Sequence, residues 1–237
     1  MIEAVSNPLL DGTRGPARTL TDQVYRRLRD DIIHGRLEPG SKLRIEHLRQ
    51  QYEVGASPIR EALSRLASEG FATSEGQRGF RVTDVSLEDL MDITNMRKTL
   101  EGMALAQSIL KGDDEWESNV VAAFHRLTKV EMADEPDLIQ WEARNAEFHL
   151  ALISACTSSW LRRFYDVLYD QHKRYRNMAR VAKDARRDIH GEHTAIKDAA
   201  LARDVDAALA ANEQHIRRTA EVCRPAIEEM KAKHAEA

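Results

Sequence analysis

Residues 44–82 read RIEHLRQQYEVGASPIREALSRLASEGFATSEGQRGFRV. Two short helical stretches flank a turn at Val54-Gly55-Ala56, whose small residues let two helices cross closely. Ser57 can accept a free backbone N–H as an N-cap, and Pro58 fits the first helical position, where its missing N–H costs nothing. Ile59, Ala62, Leu63 and Leu66 recur at helical spacing and face inward, while Arg60, Ser64 and Ala67 line the outward side. Gly70 closes the helix. Phe71 and Thr73, then Phe80 and Val82, alternate in two runs joined through Glu75-Gly76-Gln77-Arg78-Gly79, a hairpin with a basic tip. Bare helix-turn-helix spacings are common in helical proteins; with a glycine-closed ribbon behind it, this one predicts a winged helix-turn-helix.

Upstream, residues 1–16 hold Asn7-Pro8, Asp11-Gly12 and Gly15-Pro16 with little apolar periodicity, and a disordered arm is expected. A helix capped near Thr21 follows, with Leu20, Val24, Leu28 and Ile32 on one face and Gly35 as its stop. Downstream of Asp84 the alternation gives way to amphipathic helices, expected at 86–111, 114–132, 137–156, 159–182, 185–202 and 204–234. Their short connections predict an antiparallel bundle. The expected fold is therefore mostly α: an arm (1–16), a winged helix-turn-helix domain (17–83) and an all-α helical bundle (84–237).

The 237 residues allow one large or two modest domains. Aromatics at 5% and charged residues at 31% fit a soluble, helix-rich protein. No run approaches the roughly 18 apolar residues of a membrane span, and no basic-then-apolar signal opens the chain, so a cytoplasmic protein is expected. Cys156 and Cys223, the only cysteines, read as buried free thiols. The net charge of −4 divides unevenly: residues 17–83 carry 12 Lys/Arg against 9 Asp/Glu, so the positive balance lies in the segment with the winged pattern.

The bundle helices carry polar residues on faces the periodicity assigns to the interior. Arg97 shares a stripe with Leu90, Ile93, Leu100 and Ala104; a buried guanidinium needs a partner, either a carboxylate such as Glu101 one turn on or an anionic ligand. Asn145 and His149 lie one turn apart on the third bundle helix and can converge on one point. His193 falls on the inner face of the fifth and His215 at the stripe's edge on the sixth. One such histidine is more often a hydrogen-bonded core residue; three with an amide, from three helices, point to a divalent metal site. His172 is a reserve candidate on an inner stripe shared with Tyr175, which is expected to contact an effector, while His34, His47, His125, His190 and His234 read as solvated or structural.

IIHGRLEPGSKLR (32–44), SPIREALSRLASEGF (57–71) and the glycine-closed wing resemble the DNA-binding domain of the GntR family of bacterial transcription regulators. RKTLEGMAL (97–105), NAEFH (145–149), GEHTAI (191–196) and NEQHI (212–216) resemble the FCD ligand-binding domain of its FadR subfamily. The resemblance implies a divalent metal, often zinc, held by Asn145, His149, His193 and His215, and a carboxylate effector clamped by Arg97 beside it. It departs from the family in two places: Gly55-Ala56 stand where Ser-Arg is usual before the recognition helix, and Asn145 where Asp is common. GDDEWESNV (112–120), GASPIREALS and QRGFRV are further similar to the enterobacterial branch that represses glutarate and 4-aminobutyrate use, implying a dicarboxylate or hydroxy-dicarboxylate effector.

The function expected is a homodimeric, ligand-responsive repressor of a catabolic operon, reading a palindromic operator in double-stranded DNA with no membrane partner. Arg60 and Arg65 would meet base edges or phosphates, Arg44 and Arg49 the backbone, Ser57 the recognition-helix start, and Gln77-Arg78 the adjacent groove. The alternatives are a metal-dependent hydrolase and a metal sensor. The hydrolase lacks a placed base, since Glu147 lies off the Asn145–His149 face and Glu192 falls on a stripe that reads as external.

Overall fold

In the computed structural model, residues 19–133, 135, 137–179 and 187–235 are described, apart from the side chains of Gln77 and residues 233–235. The expected arm and the break expected at Lys183-Asp184 lie outside the described residues. The chain divides into two compact units, one running to Ser86 and including Lys173–Met178, the other formed by Leu87–His172 and the chain from Ala179 onward.

In the first unit, α1 (Leu20–Ile33) is capped by Thr19, whose hydroxyl accepts from the Asp22 N–H at 3.1 Å. The cap sits two residues before Thr21, which instead donates to Glu61 Oε2 at 3.2 Å, and Leu20 is left 49% exposed. Val24, Tyr25, Leu28 and Ile32 pack on α3 (Ala56–Ser68) through Ile59, Ala62, Leu63 and Leu66. Truncating Leu63 to Ala would cost about 2–5 kcal/mol, because these positions are fully buried and close-packed.

Helix α2 (Ile45–Tyr52) stops at Glu53 in the left-handed conformation, φ 55°. The extended backbone of Gly55 then serves as the N-cap of α3. Helix α3 thus starts at Ala56, earlier than the Ser-Pro signal implied: Ser57 lies in the first turn, where its hydroxyl donates to Glu61 Oε1 at 3.0 Å rather than capping. Pro58 is still within the first turn, where N–H groups have no intrahelical acceptor. The ribbon has three strands rather than two. β3 (Phe80–Val82) pairs antiparallel with both β2 (Ala72–Ser74) and β1 (Lys42–Leu43), in the order β1-β3-β2. A two-residue strand carries too little alternation to be seen in sequence. The wing tip Gly76–Arg78 is a 3₁₀ turn, with positive φ at Gly76 and Gly79.

The second unit contains α4 (Leu87–Lys111), α5 (Asp114–Glu131), α6 (Leu138–Leu152), most of α7 (Ser159–Ala179), α8 (Ile189–Leu201) and α9 (Val205–Ala235). Helix α4 packs on α9 and α6, α5 on α6 and α8, and α8 on α9. Gly102 lets α4 and α9 approach closely, for a Cβ there would touch Leu209 Cδ2 at 3.4 Å. Helix α6 ends four residues earlier than expected, at Leu152, and Cys156 lies in the turn beyond it; both cysteines are buried free thiols. Helix α8 begins at Ile189 because Asp188 caps it, its carboxylate accepting from the Gly191 N–H at 2.8 Å. No described helix is long and apolar enough to cross a membrane.

Candidate metal centre and nucleic-acid interface

The periodicity that turns α6, α8 and α9 inward brings His149, His193 and His215 together. One ring nitrogen of each lies within 4.8 Å of the others, and all three residues are buried. Ring centroids are 4.7 Å apart for His193–His215, 5.1 Å for His149–His215 and 5.4 Å for His149–His193.

Each imidazole has a carboxylate behind its Nδ1. His193 Nδ1 lies 2.7 Å from Glu131 Oε1, His215 Nδ1 2.8 Å from Glu192 Oε2, and His149 Nδ1 3.5 Å from Glu101 Oε1. At His193 and His215 the carboxylate accepts from Nδ1–H and so leaves the lone pair on Nε2, the tautomer and orientation that metal-binding histidines take, while His149 Nδ1 approaches Glu101 without a hydrogen bond. Arg187 Nη2 also comes within 3.3 Å of His215 Nδ1, but the shorter Glu192 contact makes that nitrogen the donor. Arg187 instead clasps Glu192 through Nε (2.9 Å) and Nη2 (2.5 Å).

His193 Nε2 and Asn145 Oδ1 are buried with no hydrogen-bond partner among the described residues. Asn145 Nδ2 donates to the Tyr169 hydroxyl at 2.9 Å, which turns Oδ1 the other way. Orphaned buried acceptors are costly, so this donor set fits a bound cation. Burial holds His149 down to about 4, against the pull of Glu101, and lowers His215 well below the usual imidazole range, helped by His193 and His149. Neutral imidazoles at pH 7 are what a metal needs.

Arg97 is 4% exposed and forms the internal pair: Nε and Nη2 reach Glu101 Oε2 at 3.1 and 2.6 Å, and Nη1 lies 3.0 Å from His172 Nδ1. Burial would raise Glu101, but Arg97 and His149 hold it at about 2. His172 is thus joined to Arg97, outside the triad. Tyr175 is elsewhere, its hydroxyl 3.4 Å from the backbone N and O of Ser86.

On the winged unit, Arg44, Arg49, Ser57, Arg60 and Arg78 are exposed. Arg49 pairs with Glu46 at 2.8 Å, and no ion pair engages Arg60 among the described residues. Arg65 is engaged within the unit: its guanidinium stacks on the Tyr25 ring at 3.6 Å and reaches Glu69 (3.3 Å) and Asp22 (3.4 Å), with the side chain still 39% exposed. Exposed arginines gathered from α2, α3 and the wing of one small unit are the footprint of a DNA reader.

The gntR family of bacterial regulatory proteins matches residues 20–82, and the FCD domain matches residues 92–218. The chain belongs to the gntR family. It is 44% identical over 211 residues to the uncharacterized HTH-type transcriptional regulator BphR of Paraburkholderia xenovorans, covering 87% of this chain and 86% of that one. It is 37% identical over 198 residues to the HTH-type transcriptional repressor GlaR of Escherichia coli, covering 81% and 90%. Among solved structures, E. coli McbR/YncC superposes with a TM-score of 0.75 at 22% identity over 87% of this chain and 98% of that one, a likeness of fold. This gntR protein is a DNA-binding, ligand-responsive transcription regulator, not an enzyme: the gntR model describes bacterial regulatory proteins, and the named relatives are HTH-type transcriptional regulators.

Sequence reasoning for this gntR chain missed Glu131 and Glu192 as partners of the triad. Glu192 is not external; its side chain is 7% exposed, covered by Arg187 and His215. Glu131 ends α5 and bridges His190 (2.9 Å) and His193. No periodic signal pairs the last residue of one helix with the first turn of another.

Proposed function

We propose that this regulator is a homodimeric repressor of a catabolic operon whose grip on DNA is set by a small carboxylate, a dicarboxylate or hydroxy-dicarboxylate, at a divalent metal site in the FCD unit. The single observation that carries the reading is the buried triad with a carboxylate behind each Nδ1 and unpartnered acceptors at His193 Nε2 and Asn145 Oδ1. His149, His193 and His215 would hold the ion, zinc by the chemistry of three imidazoles, with Asn145 as an oxygen donor. A bound metal supplies a Lewis-acid centre that attracts a carboxylate, and Arg97 offers a cation within the same interior. Arg97 already has Glu101 as partner, so an effector must share or displace that pair. The effector acts only through a difference in affinity between the DNA-competent and DNA-free states. In the winged unit, Arg60 would contact bases, Arg44, Arg49 and Ser57 the backbone, and Gln77 and Arg78 the neighbouring groove.

The test measures metal content and operator binding in protein as purified, after chelation and after zinc is restored, each with a panel of dicarboxylates. About one zinc per chain and a dicarboxylate response that needs zinc are expected. A response that survives chelation would overturn the site, and a response to zinc alone would make the metal the signal.

A further inference from the structure

Behind each histidine of the triad stands a carboxylate, and behind each carboxylate stands a further nitrogen group. Two of these arms end on arginine, which offers several donors at once. Arg97 places two on Glu101, and Arg187 places two on Glu192, with Arg218 adding a third. The arm of His193 is built differently. Glu131 receives one hydrogen bond at each oxygen: His193 Nδ1 lies 2.7 Å from Oε1 and His190 Nδ1 lies 2.9 Å from Oε2. The Glu131 side chain is 4% exposed, and these two imidazoles are its hydrogen-bond partners among the described residues.

His190 is itself fixed from two helices. It lies in the first turn of α8, three residues before His193, so both rings leave the helix on one side. Phe124, two turns before Glu131 on α5, stacks on its ring with centroids 5.5 Å apart and planes at 25°. The His190 side chain is 28% exposed, against 4% for Arg97 and 6% for Arg187, so this arm is the one of the three whose outer end reaches the surface.

We infer that His190 is a positioning residue of the metal centre, holding Glu131 so that its other oxygen fixes the tautomer and orientation of His193. The inference rests on the metal site proposed above and adds to it a residue outside the ligand set. With Oε2 satisfied by His190, Oε1 stays on the His193 Nδ1–H and the His193 lone pair stays on Nε2. Without His190, a buried anionic oxygen has no donor, and the carboxyl turns toward the water admitted at the vacated surface. His193 then loses its acceptor.

Zinc affinity of the full chain, read in competition with a chromophoric chelator, tests this in His190→Leu, His190→Ala, His190→Asn and the double variant His190→Leu with Glu131→Gln. His190→Leu keeps all three imidazoles of the triad and is expected to bind zinc roughly tenfold more weakly, the lower end of what an outer partner is worth. His190→Asn restores an N–H donor in the place of Nδ1 and regains the parent affinity to within about twofold. Added to Glu131→Gln, His190→Leu weakens binding by no more than about twofold further, because both changes cut the same arm. A residue that merely supported the fold would lower the melting temperature of the metal-free chain, spare the affinity and show no coupling to Glu131. Unchanged affinity in His190→Leu, a loss that His190→Asn does not restore, or a loss that multiplies in full with Glu131→Gln overturns the inference and leaves the metal site standing. A parent chain that binds no zinc overturns the site and this inference with it. Should His190→Leu misfold, His190→Ala decides on the same criteria.

Discussion

The two units treat their charges in opposite ways. Arginines on the exposed face of the winged unit reach outward and Arg60 has no ion-pair partner among the described residues, whereas the bundle buries Arg97, Arg187, Glu101, Glu131 and Glu192 and pairs every one. An outward cation costs the fold almost nothing and is available to a polyanion. A buried charge must be matched within the chain, and that matching fixes neighbouring side chains in place. The winged unit is thus equipped to attract, and the bundle to hold geometry.

The contrast is broken most severely in the triad. His193→Ala removes a ligand atom and strips Glu131 of its closest partner. Bound zinc, measured by atomic emission after dialysis, should fall from about one per chain to near zero. Glu131→Gln keeps all three imidazoles but weakens the acceptor behind His193; zinc affinity in competition with a chromophoric chelator should drop by roughly 10–100-fold. On the winged unit, Arg60→Ala should cost about 1–3 kcal/mol of operator affinity at matched salt while leaving the melting temperature unchanged. Arg65→Ala should do the reverse: lost stacking on Tyr25 lowers stability by up to about 1 kcal/mol, with operator affinity at constant salt little altered.

The smallest effect concerns pH. Hydrogen bonding to Asp30 raises His34, outweighing its partial burial, and holds Asp30 at about 2. His34 therefore adds stability that is complete below the unfolded imidazole pKa and lost as pH rises through its raised value. Asp30 adds stability present above the ordinary carboxylate range and lost as pH falls towards about 2. The pair is partly exposed, so solvent screening limits either term to well under about 1 kcal/mol. Urea midpoints of His34→Gln should show a flatter slope between neutral and alkaline pH than those of the parent chain.

Much of this was legible before any coordinates. The inward stripes of α6, α8 and α9 follow from helical period alone, which is why Asn145, His149, His193 and His215 could be named together. Helix ends were read less well where competing caps exist: Thr19 displaces Thr21, and Gly55 displaces Ser57 because the left-handed Glu53 turns the chain early. β1 escaped notice for being two residues long. The carboxylates behind the histidines escaped for a different reason. Glu131 and Glu192 gain their meaning from which helices become neighbours, and Arg65 from the proximity of Tyr25, 40 positions away in the chain; a one-dimensional pattern holds no record of such pairings.

Glu101 serves two clients with its two oxygens, Arg97 at Oε2 and His149 at Oε1. Whatever draws the guanidinium aside changes the negative charge felt by that imidazole, and a cation bound through the imidazole changes how tightly the guanidinium is held. By thermodynamic reciprocity the two effects are equal in free energy. A ligand at Arg97 and a metal at His149 therefore cannot be indifferent to one another, and a titration of either should shift the apparent dissociation constant of the other by the same factor.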